Sequence, residues 1–245
     1  MTDAQTFTMS TAQKVVFGIA VLLSIAIVIA ALAQNAVLGW AQAPLLMPVV
    51  IVFTLMTRPL PRRRLLVWLV IAQIFSFFGD LFLSRWVDNF IVGIGMFLIA
   101  QIAYIVTFLG IPGEHWLRRR PVVFLPYLAF LVLLMVIVLP KAGDLAIPLI
   151  VYGCCLLGMA LAAVDTRQRV PSRAWIMLTI GSILFVLSDC SIALRKFEIM
   201  PDGGLTGGWI ISTYCIAQLL LTVGVLSAEP GDAADLDKSP VVPAA

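Results

Sequence analysis

"LLVWLVIAQIFSFFGDLFLS", residues 65–84, runs for twenty residues with a single charged side chain, Asp80. A helix needs about 20 predominantly apolar residues to cross a hydrocarbon layer roughly 30 Å thick, so this stretch reads as a membrane span. A carboxylate inside such a span costs about 2.5–3.5 kcal/mol at the least, which makes Asp80 a candidate for function rather than for scaffold.

The rest of the chain follows the same pattern. Apolar residues make up 62% of its 245 positions and charged ones 12%, a balance that no soluble core of this size requires. Eight spans are predicted, at 15–33, 37–56, 65–84, 90–110, 121–140, 144–164, 173–194 and 206–227. The expected fold is therefore all-α, a polytopic membrane domain over residues 1–227. The first span is too long for a signal peptide and is read as a helix. Residues 228–245, "AEPGDAADLDKSPVVPAA", lack periodicity and are expected to form a disordered cytoplasmic tail.

Basic residues set the expected orientation, because Lys and Arg are retained on the cytoplasmic side. Arg58, Arg62, Arg63, Arg64, Arg118, Arg119, Arg120, Arg167, Arg169, Arg173, Lys14 and Lys238 fall on one side, twelve of sixteen. Arg85, Lys141, Arg195 and Lys196 fall on the other. Both termini are expected in the cytoplasm, with the protein in the plasma (inner) membrane. The arginine clusters need no role beyond orientation and contact with anionic membrane lipids, and nucleic-acid binding has no support. Cys154, Cys155, Cys190 and Cys215 lie within spans without a CxxC spacing and read as small hydrophobes. His115 is the sole histidine and reads as a loop residue, so no multi-histidine metal site can be assembled.

Asp80 has an internal echo. "FSFFGDLFLSR" (75–85) is answered by "ILFVLSDCSIALR" (183–195): a small residue precedes each aspartate, Gly79 or Ser188, and an arginine follows, Arg85 or Arg195. The next spans carry "LIAQIAY" (98–104) and "YCIAQLL" (214–220). This suggests two parallel four-helix repeats, related by an axis along the membrane normal. Asp80 and Asp189 each lie about 15 residues from the start of an outward-running span, or about 23 Å into the layer at 1.5 Å per residue, so they should share a depth. Gln73, Ser76 and Asp80 occupy one helical face, and Ser182 and Asp189 repeat the seven-residue separation. Gln101, Tyr104, Tyr152, Tyr214 and Gln218 could complete a polar, substrate-binding cavity. For Gln73, Ser76, Thr179 and Ser182, interhelical hydrogen bonding is the competing structural explanation.

Two neighbouring carboxyls in a low-dielectric site are expected to hold one proton between them. An acid and a base then coexist, as they do around the oxocarbenium-like transition states of glycoside hydrolysis. Such a site needs no metal or other cofactor, and the chain has no P-loop, HExxH or GxSxG motif.

The ordered series "GDLFL" (79–83), "FIVGIGMFLIAQIAYIVTF" (90–108), "YGCCLLGMA" (152–160), "GSILFVLSDCSIALRKF" (181–197) and "TYCIAQLLL" (213–221) resembles the YhhN family of eight-span membrane proteins, whose characterised animal members are lysoplasmalogenases. The resemblance implies hydrolysis of the vinyl ether bond of a lysophospholipid substrate to a fatty aldehyde and a glycerophospho-head-group alcohol. It also implies that Asp80 and Asp189 are the catalytic aspartates. Gln101 stands where members carry a histidine, and residues 34–57 hold no charge where members carry a lysine. A proton-coupled transporter and a non-catalytic lysolipid-binding protein are the alternative readings of the same intramembrane acids.

Overall fold

The computed structural model describes residues 9–34, 45–57 and 63–228. Part of the predicted second span (37–44), Arg58, Arg62 and the tail from residue 229 onward, with Lys238, lie outside the described residues. All regular structure among the described residues is helical: α1 (Thr11–Leu32), α2 (Leu46–Leu55), α3 (Arg63–Leu83), α4 (Phe90–Leu109), α5 (Phe124–Ala142), α6 (Ala146–Val164), α7 (Ser172–Lys196) and α8 (Gly204–Leu226), with short helical turns in the connections. Helices satisfy every backbone N–H and C=O within the segment, which is what a lipid environment requires.

By length and composition six helical stretches can cross a membrane: α1, α3, α4, α7, α8 and one continuous stretch, Pro121–Gln168. The protein is an integral membrane protein; about six such stretches lie among the described residues, where the sequence reading expects eight spans. Two local features account for the difference. Gly143–Leu145 joins α5 to α6 as a 3-10 turn, so that hydropathy and helicity continue through the connection. The described part of the second span is a ten-residue helix, too short by itself to cross.

Sequence signals fix several helix ends. Ser10 and Gln13 form a reciprocal capping box at the start of α1, with Ser10 N–H donating to Gln13 Oε1 at 2.8 Å and Gln13 N–H to Ser10 Oγ at 3.2 Å. Asn89 Oδ1 accepts from Val92 N–H at the start of α4. The outer surface is apolar and the interior carries amides. Val136 is 66% exposed and Ile147 75%, whereas Gln73, Gln101 and Gln218 are each 0% exposed. This is the reverse of a soluble bundle, and it fits helices whose outer faces meet acyl chains and whose polar groups bond to one another.

The closest packing joins α3 to α4 and α7 to α8. These two hairpins make the centre, with α1 and α2 against α8 on one flank and α6 against α4 and α7 on the other. The core runs through them from Leu69 and Phe97 to Phe185 and Leu221. Helix α5 is peripheral, with only Val138 and Ala142 buried. Most of its surface therefore faces outward.

Among the described residues, basic side chains are engaged at the helix ends. At one end Arg169 Nη1 donates to the Phe108 and Ile111 carbonyls, and Arg167 lies over Trp116 and Trp175. At the other, Lys196 lies over Phe90 and Lys141 donates to the Glu198 carbonyl. His115 is more than a free loop residue. Its Nδ1 meets Asp165 Oδ2, while Leu117 N–H and Arg169 Nη2 donate to the same buried carboxylate, each at 2.8 Å. Burial pulls the Arg169 guanidinium below its ordinary value, and the Asp165 charge opposes that shift.

Candidate active site

Asp80 sits in the last turn of α3, one residue after Gly79. That glycine is required by packing: a Cβ there would lie 2.6 Å from the Phe97 ring of α4, well inside van der Waals contact. Ser188, which holds the same place before Asp189 on α7, also faces the next helix and donates to the Ile210 carbonyl of α8 at 3.1 Å. In each hairpin the small residue lets the following helix approach, and the approach fixes the direction of the aspartate beside it.

The aspartates are then bonded crosswise. Tyr214, on α8, donates its hydroxyl to Asp80 Oδ2 at 2.6 Å. Gln101, on α4, donates its amide to Asp189 Oδ2 at 3.1 Å, and the Tyr152 hydroxyl of α6 donates to the same oxygen. Each acid is thus held by a helix from the opposite hairpin. Asp80 is 7% exposed and Asp189 5%, and Asp189 Oδ1 accepts no hydrogen bond among the described residues. Phe97, Phe185 and Tyr214 close the space around them as mutually edge-on rings, with centroids 6.0–6.1 Å apart.

Other polar residues predicted for the site form supporting layers. Tyr104 donates to Gln218 Oε1 at 2.6 Å, and Gln218 Nε2 donates to Ser76 Oγ at 3.2 Å, one turn below Asp80. This relay links α3, α4 and α8. Gln73 lies deeper, where its amide donates to Thr54 at 2.9 Å and Thr222 at 3.0 Å, tying α2, α3 and α8 together. Ser182 donates to the Thr179 carbonyl of its own helix. Gln73 and Ser182 are therefore not brought to the aspartates, because fully buried hydroxyls and amides take the nearest acceptor or donor available.

Two cavities meet at this wall of side chains. The larger, about 850 Å³, opens among the α3–α4 and α7–α8 connections and reaches Asp80 and Tyr214. The smaller, about 30 Å³, is mainly apolar and borders Tyr152 and Asp189 between α4, α5, α6 and α7. Leu83, Phe90, Phe97 and Ile192 line both. Of the residues expected to bind substrate, Tyr214 and Tyr152 line these two cavities. Phe97 was missed by sequence reasoning, since an aromatic residue in an apolar helix carries no distinguishing signal. The larger cavity's rim was missed as well. Its residues Arg85 and Arg195 read as boundary charges, although their place beside the two aspartate motifs was visible.

Chemically, the arrangement offers two buried carboxyls, one on a cavity wide enough for a glycerol-sized polar group and one on a cavity large enough for a water. No solved structure matches the chain. Lysoplasmalogenases of Mycobacterium bovis and Mycobacterium tuberculosis are each 28% identical to it over 183 residues, covering 73% of this chain and 67% of theirs. The model of the YhhN family matches residues 38–225, from before α2 to within one residue of the end of α8, and includes both aspartates, both IAQ segments and the walls of both cavities apart from Ala31 and Gln34; the chain belongs to the YhhN family.

Proposed function

We propose that the protein is a membrane-embedded hydrolase that cleaves the vinyl ether bond of a lysoplasmalogen-type lipid, with Asp80 and Asp189 as its acid–base pair. The observation that carries this reading is the crosswise fixing of two buried carboxyls beside adjoining cavities, in a chain similar to named lysoplasmalogenases. In the same reading the chain forms eight spans arranged as two parallel halves in the plasma membrane. Both termini and the tail lie in the cytoplasm.

A vinyl ether, R–CH=CH–O–R′, is activated by protonation of the carbon β to oxygen, which leaves an oxocarbenium ion. Asp80, which opens on the cavity wide enough for the substrate, donates that proton. Its carboxylate then faces the cation and stabilises it. Asp189 takes a proton from a water as that water adds to the cationic carbon, giving a hemiacetal. Collapse returns the Asp189 proton to the glycerol oxygen while Asp80 takes the hemiacetal hydroxyl proton. The products are R–CH2–CHO and HO–R′, one water is consumed, and both carboxyls regain their starting states. Tyr214, Tyr152 and Gln101 hold the two acids in position.

Aldehyde release by the purified protein in detergent tests the reading. A 1-alkenyl lysophospholipid should yield fatty aldehyde, whereas its saturated 1-alkyl analogue should yield none. Absence of aldehyde from a folded preparation refutes the proposal.

A further inference from the structure

The contact between Gln101 and Asp189 uses only half of each group. Gln101 Nε2 donates to Asp189 Oδ2 at 3.1 Å, and the Tyr152 hydroxyl donates to the same oxygen. The other oxygens, Gln101 Oε1 and Asp189 Oδ1, are both buried and accept no hydrogen bond among the described residues. A buried acceptor without a donor bears the cost of its lost hydration, so an orphan of this kind calls for a partner. Turning the amide over removes neither orphan, because Oε1 would then face a carboxylate with no proton to give.

Each orphan oxygen is two covalent bonds from the atom that makes the contact, so both stand at the same junction of α4 and α7. What the pair lacks is a donor of two hydrogens. A hydroxyl offers one; a water offers two. Space for one water is at hand in the smaller cavity, about 30 Å³, which Asp189 and Tyr152 border and whose other walls are mainly apolar.

We propose that Asp189 Oδ1 and Gln101 Oε1 hold one water between them, and that this is the water added in the hydrolysis; the second part rests on the reading of the protein as a vinyl ether hydrolase. With both hydrogens engaged, an oxygen lone pair is left for the oxocarbenium carbon. As the new C–O bond forms, Asp189 Oδ1 takes one hydrogen as a proton and the charge of the cation is cancelled. The second hydrogen stays on the hemiacetal hydroxyl, with Gln101 Oε1 as its acceptor. Gln101 thus touches a reacting molecule, in addition to holding Asp189.

The test uses the full chain in detergent with a 1-alkenyl lysophospholipid. Gln101→Met keeps the length of the side chain and removes both its donor and its acceptor. Its kcat for aldehyde release should fall roughly 10- to 150-fold with KM unchanged, because Gln101 meets the water and not the lipid. Gln101→His should recover most of that loss, since the two nitrogens of an imidazole flank one carbon as the amide nitrogen and oxygen do, one donating and one accepting. Deuterium exchange isolates the step. In D2O, Asp80 delivers a deuteron to the β-carbon; where water adds slowly, the cation survives to give a β-hydrogen back to Asp80 and re-forms the vinyl ether. Unreacted lipid recovered from Gln101→Met should therefore carry deuterium at the β-carbon by mass spectrometry, and lipid recovered from the unsubstituted protein should carry none. A merely structural defect slows aldehyde release without that exchange. Unchanged kcat in Gln101→Met, or a slower reaction with no deuterium in the recovered lipid, overturns the proposal. An experimental structure that resolves waters tests the site without turnover: one should lie about 3 Å from both oxygens and be missing in Gln101→Met. Such a water in a protein that releases no aldehyde upholds the site while refuting the hydrolase. Aldehyde release with no water at these two oxygens does the opposite.

Discussion

Replacing Gly79 by alanine tests whether the glycine of the GD motif is there to seat Phe97. An ideal Cβ at position 79 lies 2.6 Å from Phe97 Cδ2 and Cε2 and 2.8 Å from Cγ. Carbon atoms prefer about 3.5–4.0 Å, so the ring must move by roughly 1 Å. It cannot do so freely, because Phe97 is 2% exposed and packs edge-on against both Phe185 and Tyr214. Overpacking of this kind costs about 1–3 kcal/mol. Each disturbed aromatic pair costs about 0.5–1.5 kcal/mol more. Alanine recovers about 1 kcal/mol of helix propensity, leaving a net loss of about 1–5 kcal/mol. Gly95→Ala is the matched control, since its Cβ meets nothing within 4 Å. That variant should gain up to about 1 kcal/mol. Unfolding in detergent followed by circular dichroism measures both, with aldehyde release recorded alongside. Gly79→Ala should also lose activity, because Phe97 forms the wall between the cavities at the two aspartates. Phe97→Leu in the Gly79→Ala background should cost less than the sum of the two single changes. Equal stability of the Gly79→Ala and Gly95→Ala variants would refute the packing account.

Three further outcomes follow from the hydrogen-bond geometry. Tyr214→Phe keeps the ring contacts but removes the donor to Asp80, and a bond to a charged group is worth about 1.5–3 kcal/mol, so aldehyde release should fall roughly 10- to 150-fold while the fold persists. Gln73→Met should lower stability by about 0.6–1.7 kcal/mol, the range for interhelical hydrogen bonds in membranes, and leave aldehyde release unchanged, because Gln73 braces helices away from the cavities. Arg169→Met removes the guanidinium from the buried Asp165 carboxylate, which keeps His115 and the Leu117 N–H, and should cost up to about 3–5 kcal/mol in the unfolding assay.

The acids and the helical architecture were legible in the sequence because lipid makes both conspicuous. Long apolar runs stand out by length, and a carboxylate within one stands out by its cost. The echo around Asp80 and Asp189 likewise picked out α3, α4, α7 and α8, which make the centre of the structure. Periodicity carries no partner information, so the crosswise bonding of Asp80 to α8 and of Asp189 to α4 could not be read. Gln73 and Ser182 shared a helical spacing with the aspartates yet found partners in other layers. Tertiary proximity decides that outcome, and spacing along one helix does not encode it. Backbone strain at Glu198 was equally invisible, because glutamate does not announce a left-handed conformation. The join between α5 and α6 reads as a boundary in sequence, where Gly143 and Asp144 interrupt the apolar run, but the backbone passes through it as a helical turn.

The most direct test of the central claim is a comparison of aldehyde release by Asp80→Asn, Asp189→Asn and the double variant on one 1-alkenyl lysophospholipid, each protein verified as folded. General acid or base catalysis contributes about 10²–10⁴-fold, so each single variant should lose at least about 100-fold. Groups that act as one unit are strongly non-additive, so the double variant should be little worse than the poorer single one. Full activity in either single variant, or losses that multiply in the double, would contradict a shared acid–base role for the two aspartates.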